Sequence, residues 1–156
     1  MQKNPIGDRG IKKISDALKI NNVIGVINIA STGISDEGAK YFFDSIVDSE
    51  NIISINIQSL EGLQRNKIGT NAIKSLAYLV SVNKVLTSIN ISGCMIQKEG
   101  LICLSKGLEN NNTLKEIDLS FNIIKLKKDL CLKELIMNSK LEELILSLND
   151  IGNQVK

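Results

Sequence analysis

Five short segments of the chain carry apolar residues at the same spacing, which we number positions 1, 4 and 6 of a repeat. The triplets are Ile24, Ile27 and Ile29; Ile52, Ile55 and Ile57; Leu86, Ile89 and Ile91; Leu114, Ile117 and Leu119; and Leu141, Leu144 and Leu146. Because side chains alternate along an extended strand, positions 4 and 6 share one face, and positions 3 and 5 share the other. The pattern predicts strands near residues 24–29, 52–57, 86–91, 114–119 and 141–146.

Between these segments the apolar residues change to the spacing of a helix with one apolar face. Ile11, Ile14 and Leu18 are spaced i, i+3 and i+7, and the later repeats continue this spacing. The strand segments start 28, 34, 28 and 27 residues apart, and the longer step indicates a six-residue insertion near residues 59–64. Each unit is therefore a helix followed by a strand, and units must stack to bury their apolar faces.

The amino-acid sequence of the repeat resembles that of a known family. Position 9 carries Asn or a substitute, as Thr32, Asn66, Cys94, Asn122 and Asn149. Together with Ile34-Ser35-Asp36-Glu37-Gly38-Ala39-Lys40, this resembles the ribonuclease-inhibitor class of leucine-rich repeats over about residues 4–152. The resemblance implies one α/β domain over residues 1–156: a right-handed solenoid, or horseshoe arc, with parallel strands on its concave face and helices on its convex face. Family members differ in function, so the fold alone does not supply one.

The turns carry residues that start and stop helices. Residues 6–10 and 35–38 are predicted to open helices with a carboxylate at the positive end of each. Asn21, Asn83 and Asn111 share one place in the repeat, where a left-handed Asn would close a helix. The last helix, around residues 126–137, lacks the acidic opening and is expected to start in a solvated lysine cluster.

Composition excludes several classes of function. The 156 residues contain no His, which removes Ser-His-Asp and Cys-His catalysis and His-containing metal sites. A net charge of +2 and five scattered aromatic residues do not favour nucleic acid or an acidic membrane as partner. Three cysteines without CxxC spacing indicate neither a disulfide framework nor a zinc site, which is typical of a reducing compartment. We expect a cytoplasmic protein without cofactor or metal.

The outward positions of the predicted strands are the candidate binding surface. They are small and polar in the first three strands and turn acidic in the last two. The candidate protein-binding residues are Asn28, Asn56, Asn90, Glu116, Asp118 and Glu143. Adjacent strand residues point to opposite faces, so Glu142 and Glu143 do not form a paired-carboxylate catalytic site. The sequence therefore favours a non-enzymatic scaffold that binds another protein.

The resemblance implies two alternative functions. One is regulation of a small GTPase, as in the Ran GTPase-activating protein, although neither Arg9 nor Arg65 lies in a motif that matches that family. The other is a cytoskeletal or axonemal role, as in tropomodulin and axonemal repeat proteins. Residues 4 and 149 occupy the same phase of the repeat without polar caps beyond them. We therefore expect a piece of a longer array, or ends covered by self-association or a neighbouring chain.

Overall fold

Helix and strand alternate along the part of the chain that the computed structural model describes, which is residues 4–60, 62–126, 131–138 and 140–152. The elements are α1 (Gly7–Leu18), β1 (Val26–Asn28), α2 (Asp36–Ser45), β2 (Ser54–Asn56), α3 (Thr70–Val82), β3 (Ser88–Asn90), α4 (Lys98–Leu108), β4 (Glu116–Asp118), α5 (Cys131–Asn138) and β5 (Glu143–Ile145). The strands form one parallel sheet in the order β1-β2-β3-β4-β5. Each helix packs on the next along the other layer. This arrangement confirms the predicted α/β solenoid.

The register of the sheet aligns the same repeat position in every strand. Ile27, Ile55, Ile89 and Ile117 pair in sequence, followed by Leu144. The four isoleucines are buried between sheet and helices, whereas Leu144 is half-buried. Burying each such side chain contributes roughly 1.5–3 kcal/mol, so the stacked row supplies much of the stability. The core is therefore a continuous column that runs across all the repeats.

Position 9 forms a second column, made of hydrogen bonds. The Asn66 side chain accepts from the backbone N–H groups of Thr32 and Ile34, at 3.0 and 3.2 Å, and donates to the carbonyls of Ile29 and Ile57, at 2.8 and 2.9 Å. Asn122 and Asn149 repeat this role in the later repeats, each linking its own turn to the preceding repeat. Asn66 and Asn122 are buried and Asn149 is half-buried. Cys94 occupies the same column, and its thiol donates to the Ile57 carbonyl at 3.3 Å.

The asparagines at the helix ends act differently from the prediction. Asn21, Asn83 and Asn111 are not in the left-handed conformation, and the backbone of Asn83 is extended. Instead, each side-chain oxygen accepts from the backbone N–H groups two and three residues further on, as Asn83 does from Val85 and Leu86 at 2.9 Å. The left-handed prediction was wrong because the Asn side chain makes the turn itself.

The capping carboxylates also correct the prediction, since each stabilises the helix of the next repeat. Asp8 of α1 accepts from the Ser35 N–H at 2.8 Å, just before α2. Asp36 of α2 accepts from the Ala72 N–H at 2.8 Å, in the first turn of α3. At its own helix, α2, the cap is the Ser35 hydroxyl, which accepts from the Glu37 N–H. The carboxylates therefore bond neighbouring repeats together as well as neutralising helix N-termini.

Three smaller differences between the structure and the prediction concern the insertion, the first strand segment and the start of the last helix. The insertion comprises residues 60–65, because Ser59 keeps its place in the sheet by donating its N–H to the Ser92 carbonyl. Ile24, at position 1 of the first repeat, is 43% exposed because no earlier strand covers it in the described part of the chain. The last helix is α5, which begins at Cys131 in the described part of the chain, and Leu126 is buried ahead of it. Lys127 and Lys128 of the predicted lysine cluster lie outside the described residues.

Candidate functional site

The outward side chains of the sheet form two parallel rows, which together we call the concave face. The position-3 row is Val26, Ser54, Ser88, Glu116 and Glu143, and the position-5 row is Asn28, Asn56, Asn90, Asp118 and Ile145. Neighbouring strands are about 4.8 Å apart, so each row is about 19 Å long. The structure thus brings all six candidate residues onto one surface, with Glu143 and Asp118 at its acidic end.

The position-5 residues have a structural role that sequence reasoning missed. The Oδ1 atoms of Asn28, Asn56, Asn90 and Asp118 each accept from the backbone N–H two residues further on, at distances of 2.9–3.1 Å. These bonds turn the chain out of each strand in the same direction. The signal was available, since an Asn or Asp stood at position 5 of four successive repeats. In the third and fourth repeats the other polar atoms are bonded as well, because the Nδ2 of Asn90 donates to the Oδ2 of Asp118.

The concave face is neutral over β1–β3 and negative over β4 and β5. Glu116 and Glu143 are exposed and lie directly opposite each other in the register. Asp118 adds a third carboxylate beside them, with its Oδ2 3.1 Å from the Nδ2 of Asn90. Like charges on opposed positions of a sheet are destabilising, by some tenths of a kcal/mol to about 1. A positively charged group placed between Glu116 and Glu143 would remove this repulsion.

A second feature lies where the chain leaves the strands, at position 8 of each repeat. We call this row, Ser31, Ser59, Gly93, Phe121 and Leu148, the rim. The backbone N–H groups of the first four rim residues donate to the position-7 carbonyl of the next repeat, as Phe121 does to Ser147 at 2.9 Å, which continues the hydrogen-bond ladder of the sheet. Phe121 and Leu148 are 62% and 68% exposed. The repeat pattern carried no signal for this exposure, because position 8 has no fixed apolar or polar character.

The rim also borders an open cavity of about 340 Å³, which we call the notch. It lies between the insertion and the fourth repeat. Its lining includes Leu60 and Arg65 from the insertion, Ser92 and Gly93 from the third repeat, and Phe121 from the fourth. Gly93 contributes no side chain, which leaves the notch open. The notch adjoins the concave face at the carboxyl ends of β3 and β4.

Metal-ligating and nucleophilic groups are scattered in the described part of the chain. Within residues 4–60, 62–126, 131–138 and 140–152, no group of three His, Cys, Asp or Glu side chains could hold a metal ion. Burial raises the pKa of the Cys94 thiol to about 12, so it stays protonated and is not a nucleophile. Arg9 is exposed within α1, and Arg65 is exposed in the insertion, far along the chain from each other. Among the described helices, none has the length and apolar character needed to cross a membrane.

Comparison with known proteins agrees with this architecture. The family model described as Leucine Rich repeat matches residues 21–43, 82–105, 110–125 and 138–154, just over half of the chain. Among solved structures, 44 chains match. One of them, "Leiomodin-1 Actin-Binding Site 2 (ABS2)", has a TM-score of 0.67 and 19% sequence identity, and the match covers 88% of this chain and 76% of that chain. No curated protein sequence matches this chain.

Proposed function

This chain belongs to the leucine-rich repeat family, and we propose that it is a non-enzymatic scaffold that binds another protein on its concave face. The observation that carries the proposal is the pair of in-register rows, polar over β1–β3 and acidic over β4 and β5. The rows are rigid because the strands are hydrogen-bonded side by side. A pre-organised polar surface loses little freedom on binding, which favours recognition of a partner.

The chemistry of this surface supports binding rather than catalysis. Glu116 and Glu143 are exposed to water, without the burial or a neighbouring base that would activate them. The Oδ1 of Asn56 bonds the backbone, and its Nδ2 group is a hydrogen-bond donor suited to a peptide carbonyl. The acidic end provides charge complementarity toward a basic partner segment, which sets orientation and association rate.

Actin is the first named partner to test. The similar leiomodin-1 structure is named as an actin-binding site, and the similarity at 19% identity extends to the fold alone. Co-sedimentation with filamentous actin, and pyrene fluorescence for monomeric actin, would test this partner directly. Regulation of a small GTPase is the second possibility that the sequence left open, and GTP hydrolysis by a panel of small GTPases would test it.

The proposal is tested by comparing the proteins that wild type and a neutralised variant retain from an extract of the organism's own cells. The neutralised variant is Glu116→Gln, Asp118→Asn and Glu143→Gln, in which the amide introduced at position 118 keeps the Oδ1 acceptor for the Ser120 N–H. A matched control removes three exposed charges away from this face: Glu37→Gln, Asp48→Asn and Glu109→Gln. We expect a protein retained by wild type and control, and depleted at least tenfold on the neutralised variant. Equal retention by all three would contradict binding at the concave face.

A further inference from the structure

We propose that the partner segment is anchored at the rim: one large apolar side chain of an extended segment fills the notch against Phe121, and a basic residue of that segment pairs with Glu116 and Glu143. This inference rests on the proposed function and specifies the chemistry of the partner. The two rows of the concave face measure only about 19 Å by 10 Å. A stable protein interface buries about 800 Å² on each side, so contacts must extend beyond the rows.

The rim carries exposed apolar side chains at positions where the backbone disfavours them. Phe121 and Leu148 have φ angles of 54° and 56°, in the left-handed region that bulky residues rarely adopt. Ser31 and Gly93 occupy the same position in other repeats, which shows that small residues satisfy the fold there. Both apolar side chains are nevertheless more than half exposed, so packing in the core does not explain them. Such a combination of backbone strain and exposed apolar surface is typical of a contact site.

The notch has walls that hydrogen bonds and close backbone contacts hold in place. The base of the insertion is closed by Ser59, whose hydroxyl accepts from the Asn66 N–H at 2.9 Å and donates to the Asn66 carbonyl at 3.0 Å. A Cβ atom on Gly93 would lie 2.5 Å from the Ser59 carbonyl oxygen, so this site requires glycine. Leu60, which follows β2, and Phe121, which follows β4, both line the notch. Its volume of about 340 Å³ is at the lower end of ligand pockets, which suits one aromatic or branched side chain.

The negative charge beside the notch determines which kind of residue should accompany the apolar anchor in the partner segment. Phe121 follows Asp118 by three residues, or about 10 Å along an extended chain, and Glu116 lies two residues further back on the same strand. Glu116 is thus five residues, or about 17 Å, from Phe121, so an extended partner segment that lies along β4 would carry its basic residue about four to six positions from its apolar anchor. Lys or Arg at that place would neutralise the opposed pair Glu116 and Glu143.

The test is selection of a phage-displayed library of random peptides on the immobilised chain. The peptides are about 12 residues long, which is enough to extend from Glu116 to Phe121 along β4. Binding of the enriched peptide is then measured by fluorescence polarisation. We expect enriched peptides to hold an aromatic or large aliphatic residue with Lys or Arg about four to six positions away. Phe121→Asn should weaken binding at least tenfold without lowering Tm, because Asn tolerates the left-handed conformation. Glu116→Gln with Glu143→Gln should weaken binding and reduce its salt dependence. The control Tyr78→Asn, at an equally exposed aromatic residue of α3, should leave the affinity unchanged.

Three results would overturn the inference. They are enriched peptides that lack the apolar-basic pairing, enriched peptides that bind Phe121→Asn as tightly as wild type, and the absence of any enriched peptide. None of them decides the proposed function, which is judged by whether neutralising the concave face depletes a cellular protein. Retention that depends on the concave face while Phe121→Asn has no effect would place the partner on the strand rows alone.

Discussion

Replacement of Asn66 by Leu removes the most heavily bonded side chain of the position-9 column. Asn66 is fully buried, and its amide satisfies two backbone N–H groups and two carbonyls that belong to the turns of two successive repeats. Leu has similar volume but neither donates nor accepts. The variant therefore isolates the hydrogen bonds from the packing.

The magnitude follows from the groups left without partners. Each unsatisfied buried polar group costs about 1–3 kcal/mol, and four of them set an upper bound that relaxation of the insertion would lower. We expect a loss of about 3–5 kcal/mol in the free energy of unfolding. A loss of this size is a large part of the stability of an ordinary domain. Asn66→Cys should cost less, since Cys94 in the same column still donates to a carbonyl.

Urea denaturation followed by circular dichroism measures the effect. With an m value of about 2 kcal/mol/M, the midpoint should fall by roughly 2 M. The matched control is Asn112→Leu, at an exposed asparagine, which should change stability by less than about 0.5 kcal/mol. If Asn66→Leu shifts the midpoint no more than Asn112→Leu does, the column does not hold the repeats together.

Three further substitutions test other parts of the structure. Leu119→Ala should cost roughly 2–5 kcal/mol because it opens a cavity in the buried column, whereas exposed Lys84→Ala should cost under about 0.5 kcal/mol in the same urea melts. Asp36→Ala should cost about 1–2 kcal/mol and speed amide exchange in the first turn of α3, since it removes the acceptor of the Ala72 N–H. Burial raises the pKa of Cys94 to about 12, so with rising pH the thiol loses its proton in the unfolded state before it does so in the folded state. The free energy of unfolding should therefore fall by up to about 1.4 kcal/mol per pH unit between about pH 9 and 12. Cys94→Ala should remove that part of the slope.

Each of these has a result that would contradict it. Equal losses for the Leu119 and Lys84 variants would mean that the repeat register is misassigned. Unchanged exchange in α3 for the Asp36 variant would show that the cap acts only on its own helix. Parallel alkaline stability curves for wild type and Cys94→Ala would show that the thiol ionises in the folded state as readily as in the unfolded one.

The fold was predictable because the same pattern of apolar residues recurs in five repeats, so that each repeat supports the strand positions assigned in the others. The spacing of Ile27, Ile55, Ile89 and Ile117 places one residue of each strand in the core, and the sheet pairs them in that order. The position-9 asparagines were predictable for the same reason. A single copy of either pattern would have been consistent with a helix or with an irregular turn.

Contacts between repeats were harder to predict, because they join residues that a linear pattern assigns to separate units. The carboxylate of Asp36 was expected to cap its own helix, and it bonds Ala72 of the next one. The end-of-helix asparagines were expected to use their backbone conformation, and they use their side-chain oxygens. In both cases, residue type predicted a turn or a cap, and only the packing of neighbouring repeats determined which atoms meet.

For the candidate site, too, the sequence predicted which residues face outward but not which of their atoms form hydrogen bonds. Alternation along the strands predicted that Asn90 and Asp118 lie on the outward face, which the register shows. It did not predict that their Oδ1 atoms bond the backbone. The notch depends on a six-residue insertion that lies beside Gly93 and Phe121, and no periodicity describes an insertion.

Site-specific photo-crosslinking tests the central claim most directly, namely that a protein partner binds the concave face. A benzophenone amino acid would replace Ser88 on this face or exposed Lys74 on α3, in the organism's own cells. We predict that irradiation yields a discrete adduct of one partner protein with the Ser88 variant, and none with the Lys74 variant. An adduct formed only from the Lys74 position would contradict the account, because it would place the partner on the helices instead of the strands.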